Sequence, residues 1–505
     1  MKRNLHNRIG ILAASIACAT MLSGCMTVGP DYQRPDLPLP QAWRTTQPEA
    51  MDVVNTEWWK GLGDPALDAL IVEAIDSNLD LQLATLRVEQ FDARLLISRA
   101  DGRPQIGYEA SANRRRYSQE QPALLPRGVN QYQNAFEVGG NLSWELDLWG
   151  RVRRAREAAS ADLMASEDAR HAMMLSVVTS VATSYVQLLA LDHQLELARQ
   201  TQENRRDALA LVQTKYQGGA ASQLDVARAQ AALYDVTGVV PELERQVAEL
   251  ENATSLLLGR NPGPVARGTL LAVKLPPVPA GIPADVLVRR PDVMAAEQNL
   301  ISANARIGVA KAQYFPRISL TALLGQGSNE LDNLLQSSAT TGLVGAGLLG
   351  PIFSGGRIKG DIREAEAVQK QMLVKYQQTI RTALREVEDA LVFRTKADEV
   401  AAAGAQQLAA LRDAERLSDA RYQGGQSSYL DVLDAQQDLY EAQDKQVDRL
   451  RDTYLALISI YKAMGGGWMV AQDQVRDTAA TTAVPAQPQA EGTPASSETR
   501  PDSSK

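Results

Sequence analysis

Lys215-Tyr216-Gln217-Gly218-Gly219 runs into Ser222, Leu224-Asp225-Val226, Ala229-Gln230 and Leu233-Tyr234. The string returns 206 positions later as Arg421-Tyr422-Gln423-Gly424-Gly425, followed by Ser428, Leu430-Asp431-Val432, Ala435-Gln436 and Leu439-Tyr440. So dense a match at one offset is an internal duplication, and it frames the reading of every local motif. In both copies a Gly-Gly pair interrupts a long Ala/Leu/Gln/Glu-rich helical pattern. Glycine accepts the left-handed conformation that ends a helix, and Ser222 or Ser428 then accepts from the free N–H groups of the next one. Each copy predicts the tip of a helical hairpin.

Upstream of the first tip, residues 151–217 contain no proline, and Val177, Val181, Tyr185, Leu188, Leu191 and Leu195 recur at spacings of three and four. This is one helix with an apolar stripe. At ~1.5 Å per residue it makes a rod of about 100 Å, which needs partner helices along its length. A return helix over 222–258 ends at Gly259, and a proline-rich crossover follows over 260–284. The second tip has the same flanks: a long helix over 357–423 and a return helix over 427–464, stopped by Gly465-Gly466-Gly467.

Further upstream the period changes. Ile106, Tyr108, Ala110 and Ala112 alternate with polar residues, as do Phe136, Val138, Gly140, Leu142, Trp144, Leu146 and Leu148. Period two predicts strands at about 104–117 and 132–149. Their length and wholly polar second face suit strands tilted across a bilayer with water inside, although a long soluble hairpin packed on helices has the same pattern. At an offset of 212, Arg103-Pro104-Gln105-Ile106 corresponds to Phe315-Pro316-Arg317-Ile318, and Asn78-Leu79-Asp80-Leu81 to Arg290-Pro291-Asp292-Val293. Two more strands are therefore expected, at about 316–327 and 342–353, the last inferred mainly from the repeat. The first repeat spans 61–259 and the second 285–470.

The ends read differently. Lys2, Arg3 and Arg8 precede the apolar segment Ile9 to Thr20, and Leu22-Ser23-Gly24-Cys25 closes it. Residues 1–24 are read as a signal peptide, and residues 25–60, rich in proline, as an extended arm. Residues 471–505 lack periodic apolar positions and are expected to be disordered. Acidic residues (60) outnumber basic ones (52), which argues against a nucleic-acid partner. Cys18 and Cys25 are the only cysteines, and loss of the signal leaves no intramolecular disulfide.

Four membrane strands cannot stand alone, because unpaired edge groups would lie in hydrocarbon. Closure must come from other copies; three give twelve strands, and two or four copies satisfy the same argument. Several motifs now occur in a telling order: the Leu-Ser-Gly-Cys string, Val28-Gly29-Pro30-Asp31-Tyr32, Trp58-Trp59, Asp147-Leu148-Trp149-Gly150-Arg151, the paired tips, Arg289-Arg290-Pro291-Asp292 and Tyr461-Lys462-Ala463-Met464-Gly465-Gly466-Gly467. Together they resemble the TolC-like outer-membrane efflux channels, in the NodT/OprM-like lipoprotein branch used with RND-type multidrug pumps. The resemblance implies an α+β membrane protein: a homotrimer whose twelve-stranded outer-membrane β-barrel continues as a twelve-helix periplasmic α-barrel. It also implies lipidation at Cys25, insertion in outer-membrane lipid, and partnership with a periplasmic membrane-fusion adaptor and an inner-membrane RND-type transporter.

Tyr216, Gly218, Gly219, Ser222 and Asp225, with Tyr422, Gly424, Gly425, Ser428 and Asp431, match the family's tip motif, which implies adaptor docking; hairpin-building alone is the simpler reading. The gate is expected beside the tips. Asp413 sits where a resembling channel has a constricting aspartate, but Arg416 replaces the second acid one turn later. Asp419 is a weaker candidate, and Arg205 and Arg206, with Asp207, are candidates for salt links that hold the tips shut. No cofactor, metal or catalytic group is expected. Gly345-Ala346-Gly347-Leu348-Leu349-Gly350 matches a dinucleotide-binding string, yet Pro351 forbids the helix that string requires. The expected function is a passive exit duct for drugs or other small molecules. An exit duct for type I protein secretion shares the architecture, and a structural coiled-coil lipoprotein without a pore leaves the strand alternation unused.

Overall fold

Each half of the chain folds as a 22-residue helix, a pair of antiparallel strands, a 67-residue helix and a 35-residue return helix. The computed structural model describes residues 27–45, 57–118, 131–276 and 289–466. In order these form α1 (Pro65–Ser77), α2 (Leu79–Ala100), β1 (Gln105–Arg116), β2 (Tyr132–Leu146), α3 (Arg151–Gln217), α4 (Gln223–Leu257), α5 (Pro291–Ala312), β3 (Arg317–Ser328), β4 (Thr340–Leu349), α6 (Arg357–Gln423) and α7 (Tyr429–Ala463). The signal peptide with Cys25, the tail over 471–505, and parts of the arm and of the crossover lie outside the described residues.

The four strands form one sheet in the order β1-β2-β3-β4, antiparallel throughout. Its register decides which face each residue joins. Ile106 lies opposite Leu142, Leu142 opposite Ala322, and Ala322 opposite Val344; Tyr108, Gly140, Leu324 and Gly342 form another such row. Even-numbered positions thus build one apolar face across both repeats, and Glu109, Glu137, Asn141, Ser143 and Thr321 lie on the other. The apolar face is uncovered, with Ile106 and Tyr108 almost fully exposed. Among the described residues the outer edges of β1 and β4 carry no strand partner.

Two strand ends differ from expectation. β4 stops at Leu349 rather than 353, because Pro351 has no N–H to continue the ladder. β2 stops at Leu146 rather than 149, because Asp147 turns away to serve α3: its carboxylate accepts from Val152 N at 3.1 Å and Arg153 N at 2.8 Å. Only the second glycine of each tip pair is left-handed, Gly219 at φ +77° and Gly425 at +68°; Gly218 and Gly424, at −80°, close the helices as ordinary caps. The Gly345–Leu349 string is strand β4, and the next helix starts only at Arg357.

A core lies halfway along α3, where Val178, Val181, Tyr185 and Leu188 are fully buried with Leu67 and Ile71 of α1. Trp58 stacks on Tyr461 of α7 with centroids 4.9 Å apart, joining the start of the first repeat to the end of the second. The Tyr185 hydroxyl donates to Asp64 and accepts from Gly268 N at 2.9 Å, holding the start of the crossover against the rod.

Candidate functional site

At the far end from the sheet, both hairpins turn in the same way. Ala220 N donates to Lys215 O at 2.8 Å and Gly219 N to Tyr216 O at 3.0 Å; Gln426 and Gly425 repeat these bonds with Arg421 and Tyr422 at the same distances. This six-to-one and five-to-two pattern satisfies the last helical carbonyls and requires the left-handed glycine. Ser222 Oγ accepts from Asp225 N at 3.2 Å while the Asp225 carboxylate accepts from Ser222 N at 2.9 Å, and Ser428 with Asp431 forms the same reciprocal box. The Ser222 hydroxyl, which donates to the Asp225 carboxylate at 2.7 Å, and then Ser222 N hold that carboxyl below its ordinary range.

The structure brings the two sets of tip residues together as one surface. Val212 and Ala229 of the first hairpin share a buried cluster with Tyr429, Val432 and Leu433 of the second. Their chemistry differs: Tyr216 is exposed, whereas Tyr422 packs on Tyr429 with centroids 5.5 Å apart and carries Lys215 Nζ at 4.2 Å over its ring. Tyr429 escaped the sequence reading. Its signal was a mismatch within the repeat, since Gln223 occupies the equivalent place in the first copy.

Of the gate candidates, Asp413 is exposed on α6 and pairs with Arg416 at 3.3 Å, while Asp419 accepts from Gln423 at 2.7 Å. Arg206 and Asp207 are exposed. Arg205 makes no salt link among the described residues: it is buried, its Nη1 lacks a partner, and so does the neighbouring Tyr429 hydroxyl. Burial lowers the guanidinium pKa from its ordinary value, against the weaker pull of Tyr429 and Asp235. Among the described residues no group of three or more His, Cys, Asp or Glu side chains is placed to hold a metal ion.

At the sheet end, the arm is sewn to the point where β2 enters α3. Val28 N donates to Trp149 O at 3.0 Å, Asn304 donates to Pro30 O at 2.9 Å, and Arg154, buried, binds Asp31 and Glu157. Gly29 packs so closely on Gly308 that a Cβ would come within 2.5 Å of its Cα. An amphipathic sheet with two open edges, carried on duplicated helical rods, is the geometry of a channel subunit.

The family described as outer membrane efflux protein matches residues 70–260 and 282–466. The chain belongs to this family. It is 34% identical over 465 residues to the solvent efflux pump outer membrane protein SrpC of Pseudomonas putida, covering 90% of this chain and 97% of that one. It is 33% identical over 459 residues to the cation efflux system protein CusC of Escherichia coli O157:H7, covering 89% and 97%. Its fold matches the Campylobacter jejuni CmeC outer membrane channel with a TM-score of 0.83 at 25% identity, over 90% of this chain and 98% of that one. As an outer membrane efflux protein the chain places its sheet in the outer membrane and its helices in the periplasm, and it is a channel rather than an enzyme.

Proposed function

We propose that this protein is the outer-membrane duct of a tripartite efflux pump: a homotrimer receiving drugs or other small molecules from an inner-membrane RND-type transporter through a periplasmic adaptor. The observation that carries the reading is the pair of open edges on β1 and β4, on a sheet whose apolar face is already arranged for lipid. In hydrocarbon every backbone group needs a partner, so the edge of β4 meets β1 of the next copy until the ring closes. The helices support the same closure. α5 packs between α3 and α6, whereas its repeat equivalent α2, among the described residues, packs chiefly on α3 and exposes Leu83, Leu86, Leu96 and Ile97. By the repeat, that face of α2 receives α6 of the neighbouring copy, whose Val374, Val392 and Val400 are likewise exposed. Three copies give a twelve-stranded barrel of ordinary size.

In this reading Tyr216, Gly218, Gly219, Ser222 and Asp225, with Tyr422, Gly424, Gly425, Ser428 and Asp431, present the adaptor-docking surface. Asp413 lines the constriction above it, with Asp419 nearby. Cys25 carries lipid; its Leu-Ser-Gly-Cys context and the fastening of the arm from Val28 onward support an anchor at the membrane surface. Relatives named for solvents and for cations share this architecture, which fits a duct whose cargo is selected by its pump. The domain division is signal 1–24, arm 25–60, repeats 61–259 and 285–470 about a crossover at 260–284, and tail 471–505.

The test joins three measurements. The purified protein is expected to run as a heat-sensitive trimer in mild detergent, to conduct ions in a planar bilayer, and to lower drug accumulation when restored to a deletion strain. Crosslinkers at 218–222 and 424–428 are expected to capture an adaptor. A non-conducting monomer ends the channel reading, and a conducting trimer whose deletion blocks only export of a secreted protein replaces drug efflux with protein secretion.

A further inference from the structure

The membrane-facing side of β1 does not remain apolar to its end. Ile106, Tyr108, Ala110 and Ala112 are followed on the same face by Arg114 and Arg116. The register sets Arg116 opposite Tyr132 and Arg114 opposite Asn134. Both guanidinium groups lie over the Tyr132 ring, 5.4 Å from its centroid for Arg114 and 5.7 Å for Arg116. Arg115 has the opposite parity: it pairs with Gln133 on the polar face and lies 5.9 Å over Tyr117 instead. Neither Arg114 nor Arg116 has a carboxylate partner among the described residues, and β4, the strand expected to close against β1, has no acidic side chain.

Depth explains why two cations with no carboxylate partner among the described residues are tolerated on this side. At ~3.3 Å per residue and a tilt of roughly 40°, the rise from Ile106 is about 20 Å at Arg114 and about 25 Å at Arg116, the height of the apolar band of such barrels. The strand ends nearest the helices lie on the periplasmic side, so Arg114 and Arg116 emerge where hydrocarbon gives way to the outer headgroups. A guanidinium there finds phosphate oxygens that accept two parallel hydrogen bonds. Tyr132 holds the pair in place through its ring face.

We propose that Arg114, Arg116 and Tyr132 form a clamp for the phosphate groups of the glycolipid that builds the outer leaflet of the outer membrane. The clamp rests on the channel reading for its orientation. One copy per subunit spaces the bound lipids around the barrel, each at the edge strand where neighbouring subunits meet, so that lipid binding and subunit closure support one another.

The test uses the full-length trimer in detergent, titrated with bisphosphorylated lipid A and with the same lipid after dephosphorylation, with bound lipid counted by native mass spectrometry. Wild-type protein is expected to bind the phosphorylated form about tenfold more tightly, the scale of one or two charge-assisted bonds. Arg114→Gln/Arg116→Gln is expected to lose that preference and Arg115→Gln to keep it. Equal binding of both lipids by the wild type, or an equal loss in Arg115→Gln, overturns the clamp; the wild-type comparison holds even if the double variant folds poorly. Conductance of the same preparation reads the channel separately. A conducting trimer indifferent to phosphate rejects the clamp alone, and a phosphate-selective trimer without conductance rejects the pore and leaves the clamp standing.

Discussion

Arg34 grips Glu297 through two parallel hydrogen bonds, with Nε donating at 2.7 Å, and the Tyr32 hydroxyl donates to the same carboxylate at 3.1 Å. Glu297 is buried in α5 while Arg34 stays half-exposed, so the contact fastens the arm to the helical wall more than 260 residues away. Burial, then the charge of Glu297, raises the Tyr32 hydroxyl pKa far above its ordinary value and keeps it a donor.

Removing either partner should free the arm. Arg34→Ala and Glu297→Gln are each expected to destabilise the arm's docking by about 1–2 kcal/mol, since one strong bidentate pair is lost while Tyr32 still offers a bond. Limited proteolysis within 32–45 is the measurement, and both variants should be cut several-fold faster than wild type. Because the residues act as one unit, the double variant should add little to either single one.

The glycines that end the helices separate local conformation from packing. Gly219 and Gly259 have nearly the same backbone, φ +77° and +70°, but nothing lies within 4 Å of a Cβ at Gly219, whereas one at Gly259 would collide with the Ser77 carbonyl. Gly465, the repeat equivalent of Gly259, meets the Arg289 carbonyl at 2.7 Å in the same sense. Gly219→Ala should therefore carry only the left-handed penalty, about 1 kcal/mol, and leave the folded trimer intact. Gly259→Ala and Gly465→Ala must also move backbone, and should cut the yield of heat-sensitive trimer severely. If Gly219→Ala keeps its stability yet loses adaptor crosslinking, the tip is a recognition surface as well as a turn.

What the sequence disclosed follows from periodicity. Both rods were legible because proline is missing between their ends and a Gly-Gly pair stops each one. β1 to β3 were legible because apolar and polar residues alternate without a break over 106–112, 136–148 and 318–322. β4 was legible mainly through the repeat, since Leu343 and Leu349 fall on the face that is mostly polar in β1 to β3 and glycines dilute the rest. Arg34 with Glu297, and Arg205 beneath Tyr429, left no local trace: such pairings depend on how distant helices pack. The tip residues were visible as a repeated string, but their asymmetry came from Tyr429, a position where the repeat fails.

Asp168, buried on α3, should make stability fall with pH. Burial first, then the charges of Glu167 and Glu297, push its carboxyl up to about 7 from an ordinary 3.8. At low pH the folded and unfolded chains both hold the proton and the residue is neutral to stability. Between the two values the folded chain keeps a proton that the unfolded chain releases, so stability declines as pH rises, and the full penalty of about 2–4 kcal/mol applies above about 7. Asp168→Asn should raise the Tm at pH 8 and leave it near the wild-type value at pH 4. Equal shifts at both pH values would show that packing, not ionisation, is responsible.

Arg205 poses the opposite problem, a buried cation with no ion pair among the described residues. Among the described residues its Nη1 and the Tyr429 hydroxyl are both buried without a partner, so that nitrogen has lost water without gaining a hydrogen bond. Replacing such a group with an apolar side chain of similar length removes the cost of burying an unpaired polar group. Arg205→Met is therefore expected to hold the hairpins together more firmly, by about 1–2 kcal/mol. Hydrogen exchange over 205–216 and 426–433 should slow, single-channel openings should become rarer, and drug susceptibility of the host should rise. The alternative is a closing role, in which Arg205 reaches a carboxylate of a neighbouring subunit in the trimer. In that case the same substitution raises conductance and speeds exchange at the tips, and the opposite sign of those two readouts decides between an arginine that primes opening and one that bolts the tip shut.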